Sequence, residues 1–311
     1  MVRSVSRFLV AAVLVGAAAV GCSSTSTSSS PSTSSGPSTS PGASGSSAST
    51  TAGGSGSSVT IAGGSSGTAA ASTTLRILVT DDDGVGAAGI DAVVEGLRKL
   101  PDTEVTVVAP LTNQSGTGGK TTDGPLTVTD ATTASGYKAK AVAGFPADTI
   151  VWAIDQDGIA QRPHVVVSGI NIGQNVGPVS EISGTVGAAR AAATRGIPAL
   201  ASSQGLAATL DFPSGVKLVT EWVEKHRAEL LASTTTGSSP KGAPVFNLNV
   251  PTCVTGTLRP LVEVPVATDL AGRDIATSDC VTPFADPKDD IDAFIHGYPS
   301  LSPLTPKPAG T

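Results

Sequence analysis

The stretch Leu75-Arg-Ile-Leu-Val-Thr-Asp-Asp-Asp-Gly84 constrains the fold more than any other part of the chain. Its apolar run is too short for a helix of its own, reads as a buried strand, and leads straight into three adjacent carboxylates and a glycine. Unpaired charges are almost never buried. Asp81, Asp82 and Asp83 therefore belong at the carboxyl end of that strand, the edge where open α/β sheets bind ligands. Side by side they repel one another, and a hard divalent cation, which prefers oxygen donors, relieves this most simply. Helix N-capping accounts for one aspartate here more easily than for three.

Beyond Gly84, Ile90, Val93, Val94, Leu97 and Leu100 fall at helical spacing over 87–100, and Pro101 ends the run. Glu104 to Ala109 is a second strand, so the opening is a β-α-β unit that predicts a parallel sheet. Gly84-Val-Gly-Ala-Ala-Gly89 matches the dinucleotide pattern G-x-G-x-x-G by letter. The neighbouring carboxylates would repel a pyrophosphate, and Ala109-Pro110-Leu111 offers no acid to a ribose. These glycines read instead as turn and helix-packing residues. A helix starts at Gly144-Phe-Pro-Ala-Asp148, where Asp148 complements the helix dipole. Strands follow at 165–167, 197–201 and 245–250, and helices at 183–196 and 214–231.

Three loops at strand ends carry candidate chemistry. Asn113-Gln-Ser115-Gly-Thr-Gly-Gly-Lys120 is small and polar, so Ser115 is placed for a metal or a phosphate, with Lys120 nearby, or is plain surface. In Ser168-Gly-Ile-Asn171-Ile-Gly-Gln-Asn175 the asparagines suit neutral oxygen ligation, amide donation or a turn. In Ser183-Gly184-Thr185-Val-Gly-Ala-Ala-Arg190 a capping residue precedes small residues, which lets an anion reach the free N–H groups of the first turn.

The ends of the chain read differently. Arg3 and Arg7 precede an apolar run from Phe8 to Val20, which is a secretory signal over residues 1–22. Ala19-Val20-Gly21-Cys22 resembles a bacterial lipobox, which implies a lipid on Cys22; an ordinary cleaved signal is the alternative. Residues 23–74 are almost wholly Ser, Thr, Gly, Ala and Pro, a flexible tether that cannot repay the entropy of ordering. The remaining cysteines, Cys253 and Cys280, form an even pair in an oxidising compartment, so a disulfide is expected over two buried thiols. A net charge of −6 without a basic stripe argues against a nucleic-acid polymer as partner.

Taken together, Ile-Leu-Val-Thr-Asp-Asp-Asp-Gly84-Val, Val-Val-Ala-Pro110 with Ser115-Gly, Gly144-Phe-Pro-Ala-Asp148, Val-Val-Ser-Gly-Ile-Asn171-Ile-Gly-Gln-Asn175, Ser183-Gly-Thr-Val-Gly-Ala-Ala-Arg190 and Phe246-Asn-Leu-Asn-Val-Pro251 resemble the SurE survival-protein nucleotidases. Asp289-Asp-Ile-Asp to Gly297-Tyr-Pro-Ser matches less closely. The resemblance implies a Rossmann-like three-layer α/β/α fold with a mostly parallel, doubly wound sheet over 75–251 and a short C-terminal extension, 252–311. It implies a divalent metal, Mg or Mn, on Asp82, Asp83, Ser115 and Asn171, with Asn175, Ser183, Gly184 and Thr185 near the phosphate. Asp82 and Asp83 then carry the catalysis.

The expected function is a metal-dependent phosphomonoesterase for nucleoside monophosphates or other small phosphomonoesters, exported and lipid-tethered on the extracytoplasmic face of the membrane. The family has Asn where this chain has Asp81, and the segment before Asp289 is short for the family's projecting hairpin, so oligomeric state, homodimer included, stays open. Two alternatives stand. One is a tethered nucleotide- or phosphate-binding lipoprotein without turnover. The other is a haloacid-dehalogenase-like phosphatase, in which Asp81 is the nucleophile and forms an aspartyl-phosphate.

Overall fold

The computed structural model describes residues 74–233 and 242–307. The signal, Cys22 and the tether, all but Thr74, lie outside these residues. The strand expected at Leu75 is β1 (Leu75–Thr80), and its period-two pattern buries both faces. Leu75, Ile77 and Val79 join one core, Leu78 the other. β1 pairs in parallel with β2 (Thr103–Pro110) on one side and β5 (Val165–Ile172) on the other.

The other strands are β3 (Val128–Thr132), β4 (Lys138–Val142), β6 (Ala199–Gln204), β7 (Val245–Val250), β8 (Val262–Glu263) and β9 (Ser300–Leu304). Among the described residues they form a nine-stranded sheet in the order β3-β4-β2-β1-β5-β6-β7-β9-β8. β3 runs antiparallel to β4 and β9 antiparallel to β7, while the central pairs are parallel. The helices are α1 (Ala88–Leu97), α2 (Pro146–Ile150, continued by a π-type turn Val151–Asp155), α3 (Gly184–Thr194), α4 (Phe212–Ser233) and α5 (Asp290–Ile295). Ile90 and Val93 of α1 share a core with Val219 and Trp222 of α4; α2 and α3 fill the other face with Ile150 and the alanines 188–193. No described helix is long and apolar enough to cross a membrane.

The chain leaves β1 in one direction for β2 and the sheet grows in the other direction through β5, so the winding reverses between β1 and β5. One crossover is unusual. β5-α3-β6 and β6-α4-β7 step the same way along the sheet, yet α3 and α4 lie on opposite faces. Their hands are therefore opposite, and one of them breaks the strong preference for a single hand.

The structure corrects several expectations. β5 does not stop at Val167 but runs on, through a register shift after Ser168, so Asn171 belongs to the strand's last turn of pleat. β3 and β4 were not legible: Val128-Thr-Asp-Ala-Thr is half exposed and carries little core signal. Within residues 252–307 the C-terminal extension adds to the sheet beyond Pro251. β9 pairs with β7 from Val245↔Leu304 to Asn249↔Ser300, and α5 buries Ile291 and Phe294 against Val176. A disulfide joins Cys253 to Cys280, with their Cα atoms 5.8 Å apart.

Candidate metal and phosphate site

The site grows from the point where the winding reverses, at the carboxyl ends of β1 and β5, which is where doubly wound sheets open a crevice. Asp83 bridges it: one carboxylate oxygen accepts the Ile172 N–H from the end of β5 at 2.8 Å, the other the Asn113 amide at 2.8 Å. Asn113 in turn accepts the Ser115 N–H at 2.9 Å, and the Gln114 N–H donates to the Asp82 carbonyl at 2.7 Å. The loop after β2 is thereby stitched to the loop after β1. Ser115 itself is exposed, and so is Lys120.

Asp82 faces the other way, toward α3. The Thr185 hydroxyl donates to its Oδ1. A Cβ at Gly184 would lie 2.8 Å from the Asp82 Cβ, closer than side chains approach, so only glycine lets the helix start this near the carboxylate. Ser183 caps α3 by accepting the Val186 N–H at 3.2 Å, and its carbonyl accepts the Gly187 N–H. The N–H groups of Gly184 and Thr185 are the first of the helix and have no partner inside it. They sit at its positive end, directly beside Asp82.

Electrically the cluster is starved of positive charge. Burial, followed by the charges of Asp82 and Asp83, drives the Asp81 carboxyl well above the usual aspartate range. Burial lifts Asp82 to about 6 although the Thr185 hydroxyl pulls it down. Burial also raises Asp83, against the pull of the Ile172 N–H and the Asn113 amide. A bound cation reverses this balance. Among the described residues no three His, Cys, Asp or Glu side chains gather to hold a metal. The candidate donors named from the sequence are mixed and all oxygen: the carboxylates of Asp82 and Asp83, the Ser115 hydroxyl and the amide oxygen of Asn171. The Asn171 Nδ2 is already donated to the Gly173 carbonyl at 2.5 Å, which leaves that oxygen as its open donor. Such a set suits a hard divalent ion.

Asp81 is fully buried and neither of its oxygens has a partner. A nucleophile must reach phosphorus, so the aspartyl-phosphate scheme fails on access. The G-x-G-x-x-G glycines also act as packing residues: Gly84 takes φ +101°, and a Cβ at Gly89 would fall 1.8 Å from the Ile170 carbonyl oxygen. Asp148 does more than complement a dipole. It accepts the Phe145 N–H and both the N–H and hydroxyl of Thr122, at 2.7–2.8 Å.

Asn175 is drawn toward the sheet. Its Nδ2 donates to the Ser203 hydroxyl at 2.8 Å, its N–H to the Asn249 side chain at 2.7 Å, and its carbonyl accepts the Asn247 amide at 2.8 Å. Ser203, Asn247, Asn249 and Asn113 were given no role by the sequence. The signal was present for two of them: Asn247 and Asn249 alternate on one strand, which puts both on one face.

These features agree with known proteins. The family model for Survival protein SurE matches residues 77–272. A 5'-nucleotidase SurE of Methanocella arvoryzae is 34% identical over 182 residues, covering 57% of this chain and 67% of that protein. One of Methanopyrus kandleri is 37% identical over 188 residues, covering 57% and 66%. The chain thus spans about two thirds of these relatives' length. The crystal structure of the SurE protein from Aquifex aeolicus superposes with a TM-score of 0.58 at 25% identity, covering 76% of this chain and 95% of that one. On the matched segment, the shared fold and the relatives' identity, the chain belongs to the SurE family.

Proposed function

We propose that this protein is a metal-dependent phosphomonoesterase that releases phosphate from nucleoside monophosphates. The observation that carries the reading is the Thr185–Asp82 hydrogen bond, which fixes an anion-binding helix start against an acidic, oxygen-rich crevice. The names of its relatives support the substrate class. Asp82, Asp83, Ser115 and Asn171 would hold the cation, Mg or Mn. When bound, it supplies charge to the phosphoryl oxygens and lowers the pKa of a water. Gly184 and Thr185 offer N–H donors to the phosphoryl group, with the helix dipole behind them. Ser183 serves by capping α3, and Asn175 by tying its loop to β6 and β7. Asp83, held from both sides, keeps the two loops in register while substrate binds.

The test is a panel of 5' and 3' nucleoside monophosphates with p-nitrophenyl phosphate, after chelation and after adding back Mg or Mn. Turnover is expected only with metal, with higher kcat/KM on nucleotides. No metal-dependent phosphate release from any of them would leave the tethered binding protein as the better reading. We also infer, from residues 1–22, that the enzyme works on the extracytoplasmic face, held by lipid on Cys22. A diacylglyceryl group supplies the two chains that stable anchoring needs. Cys22→Ala should then leave the membrane fraction; a processed variant that stays there overturns the anchor.

A further inference from the structure

Two fully buried carboxylates lie outside the cluster at β1, Asp148 and Asp290. Asp290, the first residue of α5, has 0% exposure. Its Oδ2 accepts the Gly177 N–H and its Oδ1 the Ala267 N–H, both at 2.8 Å. Gly177 is two residues past Asn175 and opens the 3-10 turn Gly177–Glu181, which leads into Ser183 and α3. The loop is therefore gripped at both ends. Asn247 and Asn249 of β7 hold the backbone of Asn175, and Asp290 holds that of Gly177. Apolar contacts close the grip: Val176, Ala267, Ile291 and Phe294 form one buried cluster, and a Cβ at Gly177 would meet the Ile291 Cδ1 at 2.6 Å. None of the metal-donor candidates touches Asp290 through a hydrogen bond; they hang on β1, on the loop after β2 and on the end of β5.

We propose that Asp290 is a positioning residue for phosphate: through Gly177 it sets where the α3 N-terminus stands over the metal donors. The inference rests on the phosphatase reading and deepens it. A two-oxygen acceptor is required because both partners are N–H donors from separate loops. Asparagine has the same shape but turns one acceptor into a donor, which then faces a backbone N–H. A buried donor pair of this kind pushes one loop away.

The experiment titrates inorganic phosphate and, separately, Mn²⁺ into wild type and Asp290→Asn by calorimetry, with KM and kcat measured alongside. The variant should bind phosphate on the order of tenfold more weakly, as outer partners of a site do when altered. KM should rise with it, while Mn²⁺ affinity and kcat stay within about twofold. Unchanged phosphate affinity, or a parallel loss of Mn²⁺ affinity, overturns the inference. Ile291→Val loosens the same grip while keeping the hydrogen bonds, so it serves where Asp290→Asn does not fold. It should weaken phosphate by about twofold without moving Mn²⁺, a small misplacement being enough to register; no change there counts against the proposal. Phosphate binding by a wild type that turns nothing over would defeat the phosphatase reading alone.

Discussion

Asp81 and Asp290 are both sealed from water, and the fold treats them in opposite ways. At the α5 corner each carboxylate oxygen receives one backbone N–H. At the β1 corner neither Asp81 oxygen makes a well-formed hydrogen bond, two more carboxylates stand beside it, and the pull of the Asp83 backbone N–H does not offset burial. Burial raises both above the ordinary range, but at Asp290 the two N–H groups pull back. A buried acid that the chain has furnished with donors is a strut. A cluster left short of donors is a place where charge has to arrive from solution. The contrast assigns positioning to one corner and chemistry to the other, and mutants can separate them.

The largest effect is expected from Asp82→Asn at saturating Mn²⁺: kcat falls by about 10²–10³-fold, the size of removing one pre-placed electrostatic group. Asp81→Asn should keep most activity. A dead Asp81→Asn beside a working Asp82→Asn would reverse the assignment of roles within the β1 corner. Next comes the C-terminal corner. Replacing Cys253 and Cys280 together by serine should cost about 3 kcal/mol in urea unfolding by the loop-entropy account, with Mn²⁺ affinity unchanged. A matching loss of metal affinity would show that the two corners are not independent.

Asp81→Asn also carries a pH signature in EDTA. The native carboxyl keeps a proton that the unfolded chain releases above the ordinary value of 3.8. Native protein then binds more protons, so stability falls as pH rises. The gain in Tm from Asp81→Asn should therefore be larger at about pH 8 than at about pH 5; an equal gain would mean the carboxyl is ionised in the fold. The smallest effect belongs to Glu181, which Arg190 and Lys307 hold down at about 2. Its contribution is present above 4.5 and lost as pH falls through that lower value. With the Glu181 side chain 47% exposed, Glu181→Gln should cost no more than about 1 kcal/mol at neutral pH.

How much of this could be read from the residues depended on whether a residue's partner was near in sequence. Leu75–Thr80 and its acids were legible because the apolar run and the charges adjoin. Ser183 was legible because capping is a local pattern. Asn175 was placed near phosphate, and the structure shows its amide on Ser203, a partner visible only once β5 and β6 lie side by side. Asp290 stood out only within Asp289-Asp-Ile-Asp, a weaker match to the family, and was given no role, since its two donors come from loops elsewhere in the chain. β9 was missed because Ser-Leu-Ser-Pro-Leu alternates weakly and carries a proline, which demotes a strand reading.

The pairing of β9 with β7 has a consequence for time. β7 carries Val-Phe-Asn-Leu-Asn-Val, and until β9 arrives its outer edge is unpaired. Between the two strands stand α5 and the whole segment closed by the disulfide. Contacts across such a separation form late, because loop closure is paid for before the pairing rewards it. α5 reaches the Asn175–Gly177 loop in the same movement that seats β9. The acidic crevice between β1 and β5 is built from earlier chain, whereas the grip on Gly177 waits for α5. Until β9 is seated, β7 presents a bare strand edge of the kind that pairs with other chains.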